Sequence, residues 1–116
     1  MESLDNCIFC KIVKGEIPST ILYEDEKAIA FEDVNPQAPV HFLVIPKEHI
    51  VSAKYIDESN KDLMGHLLFI ASKLAKEKGL EEGYRIVNNC GADGGQTVDH
   101  IHFHVLGKRK MLWPPG

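Results

Sequence analysis

Three histidines at alternate positions are the residues of this chain best suited to chemistry. His100, His102 and His104 lie close together near the carboxyl end and make up half of the chain's 6 histidines. Side chains alternate between the two faces of a β-strand, so the three imidazoles would share one face, about 7 Å apart. The apolar residues between them would then face the core.

Aligned imidazoles suit chemistry at phosphorus. A neutral histidine is a competent nucleophile near pH 7, and it leaves readily from phosphorus once it is protonated. Its neighbours can fix its tautomer and contact phosphate oxygens. Acyl transfer fits less well, because no Ser or Cys has the sequence setting of a nucleophile elbow. A site in which the histidines only bind metal is the competing prediction.

A glycine-rich segment, residues 89–97, lies just before the histidines. Glycines let the backbone approach a ligand closely and present N–H groups to an anion. Asn89, Gln96 and Thr97 add neutral hydrogen-bonding side chains. The segment therefore predicts a phosphate-binding loop, and a plain connecting loop is the alternative, because glycine-rich turns are common.

Cys7 and Cys10 are separated by two residues, and Cys90 stands alone. In a reducing compartment such a pair more often indicates metal or redox chemistry than a structural disulfide. A zinc site needs four ligands, and histidines elsewhere in the chain are the candidates to complete it. Thiol exchange is the alternative for the pair. Cys90 is predicted to be a small buried apolar residue.

The elements that position these residues follow from the apolar pattern. Apolar and β-branched runs predict five strands, at residues 20–24, 27–34, 40–45, 84–89 and 101–106. A helical stripe of leucines and isoleucine predicts a long helix at residues 60–78, begun by Ser59 or Asn60 and ended by Gly79. A short helix is predicted at residues 7–13. The order predicts an α+β fold with a five-stranded, mainly antiparallel sheet.

Composition narrows the class of protein. A chain of 116 residues fits one domain, residues 1–116. A net charge of −4 argues against duplex nucleic acid or an anionic membrane as partner, since both reward clustered Lys and Arg. No apolar run approaches the roughly 18 residues of a membrane helix. The acidic, polar start does not look like a secretory signal, so a cytoplasmic location is predicted.

The histidine segment resembles the histidine triad (HIT) superfamily, whose pattern of three histidines separated and followed by apolar residues is complete at residues 100–106. The resemblance covers nearly the whole chain. Residues 33–47 are similar to the family's central strand, and residues 83–85 and 93–96 to its phosphate loop and the strand before it. The Trp-Pro-Pro-Gly ending, residues 113–116, is similar to the Hint branch, the purine nucleoside phosphoramidases.

The resemblance implies a covalent mechanism. His102 would attack the α-phosphorus of an adenylyl or guanylyl substrate, an amine would leave, and water would release the nucleoside monophosphate from a nucleotidyl-histidine. The implied catalytic residues are His102, His104, His41, Thr97 and Asn89. The implied nucleotide-binding residues are Phe9, Ile12, Phe31, Asp33, Val34, Asn89, Gly95, Gln96, Thr97, His102, His104 and Trp113.

Within that implied set, Asp33 would bind the ribose hydroxyls, and four apolar residues would form the slot for the base: Phe9, Ile12, Phe31 and Val34. His104 and Thr97 would contact phosphate. Many Hint proteins have serine at the position of Thr97, so the hydroxyl is kept and a stiffening methyl group is added. We expect the role to be kept with an altered rate or leaving-group preference.

The resemblance also implies a metal and an assembly. Relatives that keep both cysteines hold a structural zinc ion, here with Cys7, Cys10, His49 and His100 as ligands. A two-fold homodimer is implied, with Trp113 near the partner's active site. Two other functions stay open: hydrolysis of dinucleoside polyphosphates, and a zinc-stabilised nucleotide-binding or scaffold protein with little turnover.

Overall fold

The computed structural model describes residues 6–116. The prediction that the chain starts without a secretory signal rests largely on residues 1–5, which lie outside the described residues.

Five antiparallel strands form one sheet. They are β1 (Ile21–Glu24), β2 (Ala28–Glu32), β3 (Val40–Pro46), β4 (Tyr84–Val87) and β5 (Phe103–Gly107), in the spatial order β1-β2-β3-β5-β4. All four neighbouring pairs are antiparallel. The predicted α+β fold with a five-stranded antiparallel sheet is therefore confirmed.

Two helices flank the sheet, α1 (Ile8–Val13) and α2 (Lys61–Glu77), and a short 3-10 helix lies at Ala53–Tyr55. Asn60 precedes α2 as predicted, but its side chain does not cap the helix. It accepts from Asp57 N and donates to Tyr55 O, and so braces the loop before the helix. Gly79 follows α2 with φ +75°, a backbone conformation that glycine adopts without strain.

Each face of the sheet carries its own apolar cluster. The α2 face takes Phe42 and Val44 of β3, together with Leu67 and Ile70 of the helix. The α1 face takes the alternate residues of β3, together with Phe9 and Ile12 of α1 and Phe31 of β2. Because both faces of the central strands are covered, those strands appear in the sequence as continuous apolar runs without alternation.

Three strand boundaries lie two residues from their predicted positions, and these three concern the site. β2 ends at Glu32, so Asp33 lies in a turn, where its Oδ1 accepts from Asn35 N at 2.8 Å. β4 ends at Val87. β5 begins only at Phe103, so His100 and His102 precede the strand.

Cys90 is half-buried, and the prediction that it is buried is wrong.

None of the helices within residues 6–116 has both the length and the apolar character required to span a membrane.

The packing of α2 leads to a stability prediction. Leu67 is fully buried against the sheet, whereas the adjacent Leu68 is 42% exposed. We expect Leu67→Ala to lower the free energy of unfolding by about 2–5 kcal/mol, because it removes buried methyl groups and leaves a cavity. The same change at Leu68 should cost no more than about 0.5 kcal/mol. Urea unfolding followed by circular dichroism measures both, and equal losses would contradict this packing.

Candidate active site and metal centre

The segment from His100 to His102 is held by hydrogen bonds from outside the sheet ladder. The ring of His100 bonds through Nε2 to the carbonyl oxygen of Pro46, at 2.8 Å. Ile101 N donates to Ile50 O at 2.6 Å. A carbonyl oxygen only accepts, so Nε2 of His100 carries the proton, and in the neutral ring Nδ1 presents a lone pair.

That lone pair faces a buried group of donors. Cys7, Cys10, His49 and His100 are all buried, and their ligand atoms lie within 4.8 Å of one another. His100 Nδ1 is 3.2 Å from His49 Nδ1 and 3.4 Å from Cys7 Sγ. Cys10 Sγ is 3.2 Å from His49 Nδ1 and 3.5 Å from His100 Nδ1. The sequence separated these residues by up to 93 positions, and the fold brings them together.

The donor set fits zinc. For Zn–N of about 2.0–2.1 Å and Zn–S of about 2.3 Å, a tetrahedron has N···N edges of about 3.3 Å and N···S edges of about 3.6 Å. The distances just given are close to these values. Nε2 of His49 is buried and has no hydrogen-bond partner among the described residues, a cost that a metal bond at its Nδ1 offsets. The four donors supply every ligand of a closed structural site.

His102 has its tautomer set by the backbone. Its Nδ1 lies 2.8 Å from the carbonyl oxygen of His100, so Nδ1 carries the proton and donates. In the neutral ring Nε2 therefore holds the lone pair. The ring of Phe9 lies edge-on to that of His102, with centroids 5.0 Å apart, and the ring of His104 is also 5.0 Å away. The residue is 3% exposed.

His104 carries its proton on the other ring nitrogen, Nε2, in contrast to His102. Gln37 N donates to His41 Nδ1 at 2.9 Å, so His41 carries its proton on Nε2. His41 Nε2 then donates to His104 Nδ1, also at 2.9 Å. A neutral His104 must therefore carry its proton on Nε2. His102 thus offers a lone pair and His104 a donor from the same face of the sheet.

Asp33 adds a negative charge to this pair. Its Oδ2 is 3.3 Å from His41 Nε2 and 3.9 Å from His104 Nδ1. The three residues have the composition of a metal site. The amide proton of Gln37 occupies the lone pair of His41 Nδ1, however, so Nε2 of the neutral ring is protonated and offers no lone pair to a cation. The group is a hydrogen-bonding chain, in contrast to the cysteine-containing cluster.

Burial keeps these histidines uncharged. It lowers the pKa of His104 to about 4, and the neighbouring His102 and His41 act in the same direction while Asp33 opposes them. Burial also lowers the pKa values of His41 and His102. Neutral rings at pH 7 are the form that both a nucleophile and a metal ligand require.

The glycine-rich loop folds back on itself next to the histidines. A Cβ on Gly94 would meet Cys90 O at 2.4 Å, so only glycine permits this approach. Gly95 has φ +78°. The side chain of Gln96 is used within the fold: it accepts from Gly91 N and donates to the carbonyl oxygens of Val51 and Val98. The backbone N–H of Gln96 is used as well, donating to Gly91 O at 3.1 Å, so the nucleotide contact predicted for Gln96 from the resemblance has neither its side chain nor its N–H free in this conformation.

The remaining predicted binding residues are partly assembled. Phe9, Ile12 and Phe31 share the cluster on the α1 face, and the rings of Phe9 and Phe31 are 5.6 Å apart. Val34 is 94% exposed and Trp113 83% exposed, so neither is packed into that cluster. Thr97 is exposed, and Asn89 is half-buried at the start of the loop.

Three residues that the sequence did not single out hold the site together. Asn88 Nδ2 donates to the carbonyl oxygen of His102 at 2.9 Å. Gln37 fixes the tautomer of His41, and Arg109 Nε donates to Gln37 O at 2.8 Å. Gln37 acts through its backbone N–H and carbonyl, which every residue type except proline provides, so its side chain gave no signal. Asn88 and Arg109 bind backbone atoms distant in sequence.

Known proteins share this architecture. The HIT domain family matches residues 14–111. A 14 kDa zinc-binding protein of Zea mays is 53% identical over 111 residues, which are 94% of this chain and 87% of that protein. The crystal structure of a HIT family hydrolase from Legionella pneumophila has a TM-score of 0.94 and 51% identity, covering 96% of this chain and 100% of that one. A histidine triad nucleotide-binding protein from Candida albicans has a TM-score of 0.82 and 40% identity, covering 91% and 77%.

The class of protein is defined by an α+β fold with an antiparallel sheet, a Cys2His2 cluster, and a histidine triad in which His100 and His102 are buried and His104 is half-buried. The family match covers most of the chain, and the chain therefore belongs to the HIT domain family. Its fold is that of the HIT-family hydrolase structures. The superfamily predicted from the histidine pattern is confirmed, and so is a site suited to zinc.

The metal cluster leads to a prediction with a matched control. Cys10→Ala removes one of four ligands, and we expect zinc content to fall from about one ion per chain to near zero, because structural zinc sites need all four ligands. The melting temperature should fall with it, since metal binding is coupled to folding. Cys90→Ala changes a cysteine outside the cluster and should keep both zinc and melting temperature. Elemental analysis and thermal unfolding measure these, and full zinc content in the Cys10 variant would contradict the assignment.

The pKa of His104 leads to a pH prediction. In the folded chain this pKa is about 4, against an unperturbed 6.5. Between these values the unfolded chain binds the extra proton, so the free energy of unfolding should decrease as pH falls from 6.5 towards 4. His104→Gln removes this contribution and should give a shallower decrease.

Denaturant unfolding across that pH range, at a fixed zinc concentration, tests the comparison. The zinc site is the same in both proteins, so its contribution cancels in the difference, which reports His104 together with its contacts to His41 and His102. Parallel curves for the two proteins would show that His104 is not the residue responsible.

Proposed function

We propose that the protein hydrolyses purine nucleoside phosphoramidates, such as adenylyl-amines or adenylyl-lysine, through a covalent nucleotide on His102. One observation carries the proposal. The hydrogen bond from His102 Nδ1 to His100 O leaves the lone pair on Nε2 of a buried ring. A histidine held in this tautomer is prepared to attack an electrophile without first losing a proton.

The reaction has two displacement steps. In the first, Nε2 of His102 forms a bond to the α-phosphorus, the P–N bond of the substrate breaks, and the amine departs with a proton taken from solvent. In the second, water attacks the same phosphorus, the bond to His102 breaks, and the nucleoside monophosphate is released. The electron pair of the broken bond returns to Nε2, which restores the neutral ring, and the attacking water loses one proton to solvent.

The neighbouring groups support phosphate binding in this proposal. His104 carries its proton on Nε2, as its bond with His41 requires, and can donate it to a phosphate oxygen. Donors already aimed at developing negative charge are a main source of catalysis. Thr97 and Asn89 lie in the adjoining loop and would supply a hydroxyl and an amide. Gly95 would let the backbone come close to the phosphate, since its own N–H already donates to Ala92 O.

Nucleotide binding in the proposal uses the α1 face. Phe9, Ile12 and Phe31 would line the slot for the base, with Val34 at its rim. Asp33 would bind the ribose hydroxyls, since an ionised carboxylate only accepts hydrogen bonds. The nucleotide-binding relative from Candida albicans, 40% identical, supports a nucleotide ligand for this chain.

Zinc would have a structural role. Held by Cys7, Cys10, His49 and His100, it would join α1 to the segment that carries His102. The Zea mays relative named as a zinc-binding protein supports this. No ligand position is left for water in a site with four protein ligands, so the metal would not be the catalyst.

Assembly and location are further parts of the proposal. We assign residues 1–116 to one domain. We assign that domain to the Hint-like branch because residues 113–116, Trp-Pro-Pro-Gly, resemble the end of that branch's sequences. A homodimer is supported by the exposed apolar side chains of Phe69 and Trp113, 63% and 83% exposed, and by Ile86 on the edge strand β4. A cytoplasmic location is supported by the absence of disulfides among the cysteines of residues 6–116.

Mass spectrometry during turnover tests the function. With an adenosine phosphoramidate, we expect an adenylyl adduct on His102 that forms and decays at the catalytic rate. His102→Ala should lose the adduct and turnover, at least about 10⁴-fold, since removing a nucleophile leaves only binding and charge stabilisation. AMP binding should stay largely intact. His66→Ala, which changes a histidine bonded to Asp25 away from the site, should keep normal turnover.

Other outcomes point to the other functions. If the protein turns over dinucleoside polyphosphates and no phosphoramidate, its function is that of a dinucleoside polyphosphate hydrolase and not of a phosphoramidase. Nucleotide binding without turnover in the wild-type protein would favour a zinc-stabilised binding or scaffold protein. Rapid turnover by His102→Ala would overturn the covalent mechanism.

A further inference from the structure

The proposed nucleophile lies just before the sheet ladder begins. The first residue of β5 is Phe103, which pairs with Val44 of β3. On the other side, the last pair between β4 and β5 is Val87 with His104. His102 is therefore outside the regular pairing on both sides, and its backbone must be positioned by other contacts.

Four other hydrogen bonds hold the segment around His102, which has no strand pairing of its own. Two hold the chain before His102, from the His100 ring to Pro46 O and from Ile101 N to Ile50 O. A third fixes the His102 ring to the carbonyl of His100. The fourth involves the backbone of His102 itself: its carbonyl oxygen accepts from Asn88 Nδ2 at 2.9 Å.

We propose that Asn88 is a positioning residue for the nucleophile, an inference that rests on the proposed role of His102. Asn88 directly follows β4 and is half-buried, and its side chain reaches the peptide between His102 and Phe103. The orientation of that peptide is the ψ angle of His102. Together with the upstream bonds it fixes the direction of the Cα–Cβ bond, and with it the ring.

An amide is the group that suits this position. The carbonyl oxygen needs a donor, which the NH2 group of Asn88 supplies. Leucine has a similar volume and no donor, so it leaves the carbonyl without this partner. Aspartate has the same shape, but its carboxylate oxygen would face the carbonyl oxygen and repel it. Asn88→Leu therefore tests the loss of the hydrogen bond alone. Asn88→Asp tests that loss together with a repulsion that pushes the carbonyl group of His102 away.

The effect should appear in the chemical step. Misplacing a reacting group by about 1 Å costs up to about 100-fold in rate. We expect Asn88→Leu to slow formation of the adduct on His102 by about 10-fold or more, and Asn88→Asp by more than that. Affinity for AMP and zinc content should stay within about twofold of wild type, since the Asn88 side chain bonds to the backbone carbonyl of His102 and not to the side chain of a zinc ligand.

Asn60→Leu is the matched control. Asn60 also braces backbone groups, Asp57 N and Tyr55 O, in a loop outside the site. Its loss should lower stability to a comparable extent and leave the rate of adduct formation unchanged. Restoring the donor with Asn88→Gln should recover part of the rate, because the longer side chain keeps the NH2 group.

Rapid-quench mass spectrometry gives the rate of adduct formation, and crystal structures of wild type and Asn88→Leu give the ring position. An unchanged rate in Asn88→Leu would overturn the inference, as would a loss shared equally by Asn60→Leu. If the wild-type protein forms no adduct, the proposed function fails and the crystal structures decide this inference alone. A His102 ring displaced relative to Phe9 and His104 then supports it, and a ring in its original place overturns it.

Discussion

The site depends on a single residue, His100, which connects three parts of the structure. Its Nε2–H bonds to the end of β3 at Pro46 O, its Nδ1 faces the cysteine cluster, and its carbonyl oxygen accepts from the ring of His102. Each of these contacts uses a different atom, so none competes with another. The first bond selects the tautomer that can bind metal, and the last selects the tautomer that can act as a nucleophile. A change in the position of His100 would therefore affect both sites together.

The two other triad histidines show how different hydrogen-bond partners give one residue type opposite tautomers. His102 donates through Nδ1 to a carbonyl, and His104 accepts at Nδ1 from His41. The consequence is a lone pair on one Nε2 and a proton on the other. Burial keeps both rings neutral, so these tautomers persist at physiological pH. The division of roles comes from hydrogen bonds that the fold supplies.

Helix α1 links the cysteine cluster to the proposed nucleophile, His102. With six residues, α1 is too short to be stable in isolation. Cys7 and Cys10 bring it to the cluster, and between them Phe9 packs against the rings of both His100 and His102, with centroids 6.0 and 5.0 Å apart. A metal ion at the cysteine cluster would therefore fix one wall of the proposed nucleotide slot as well as the entry to β5. Phe9 thus packs against the ring of a proposed zinc ligand, His100, and against the ring of the proposed nucleophile, His102.

From the amino-acid sequence alone, one could predict the class of fold and the long helix, and read the alternation of the histidines and the cysteine spacing. These are local patterns, since periods of two and of 3.6 residues and short spacings are visible in a linear chain. The folded chain was needed to show that β5 begins after His102, that Asp33 lies in a turn, and which ring nitrogen carries each proton. The proton positions depend on single backbone atoms, such as Pro46 O, 54 positions from His100, and Gln37 N, 4 positions from His41. Every residue type offers the same carbonyl and almost every one the same N–H, so no sequence pattern marks the few that the fold brings to an imidazole.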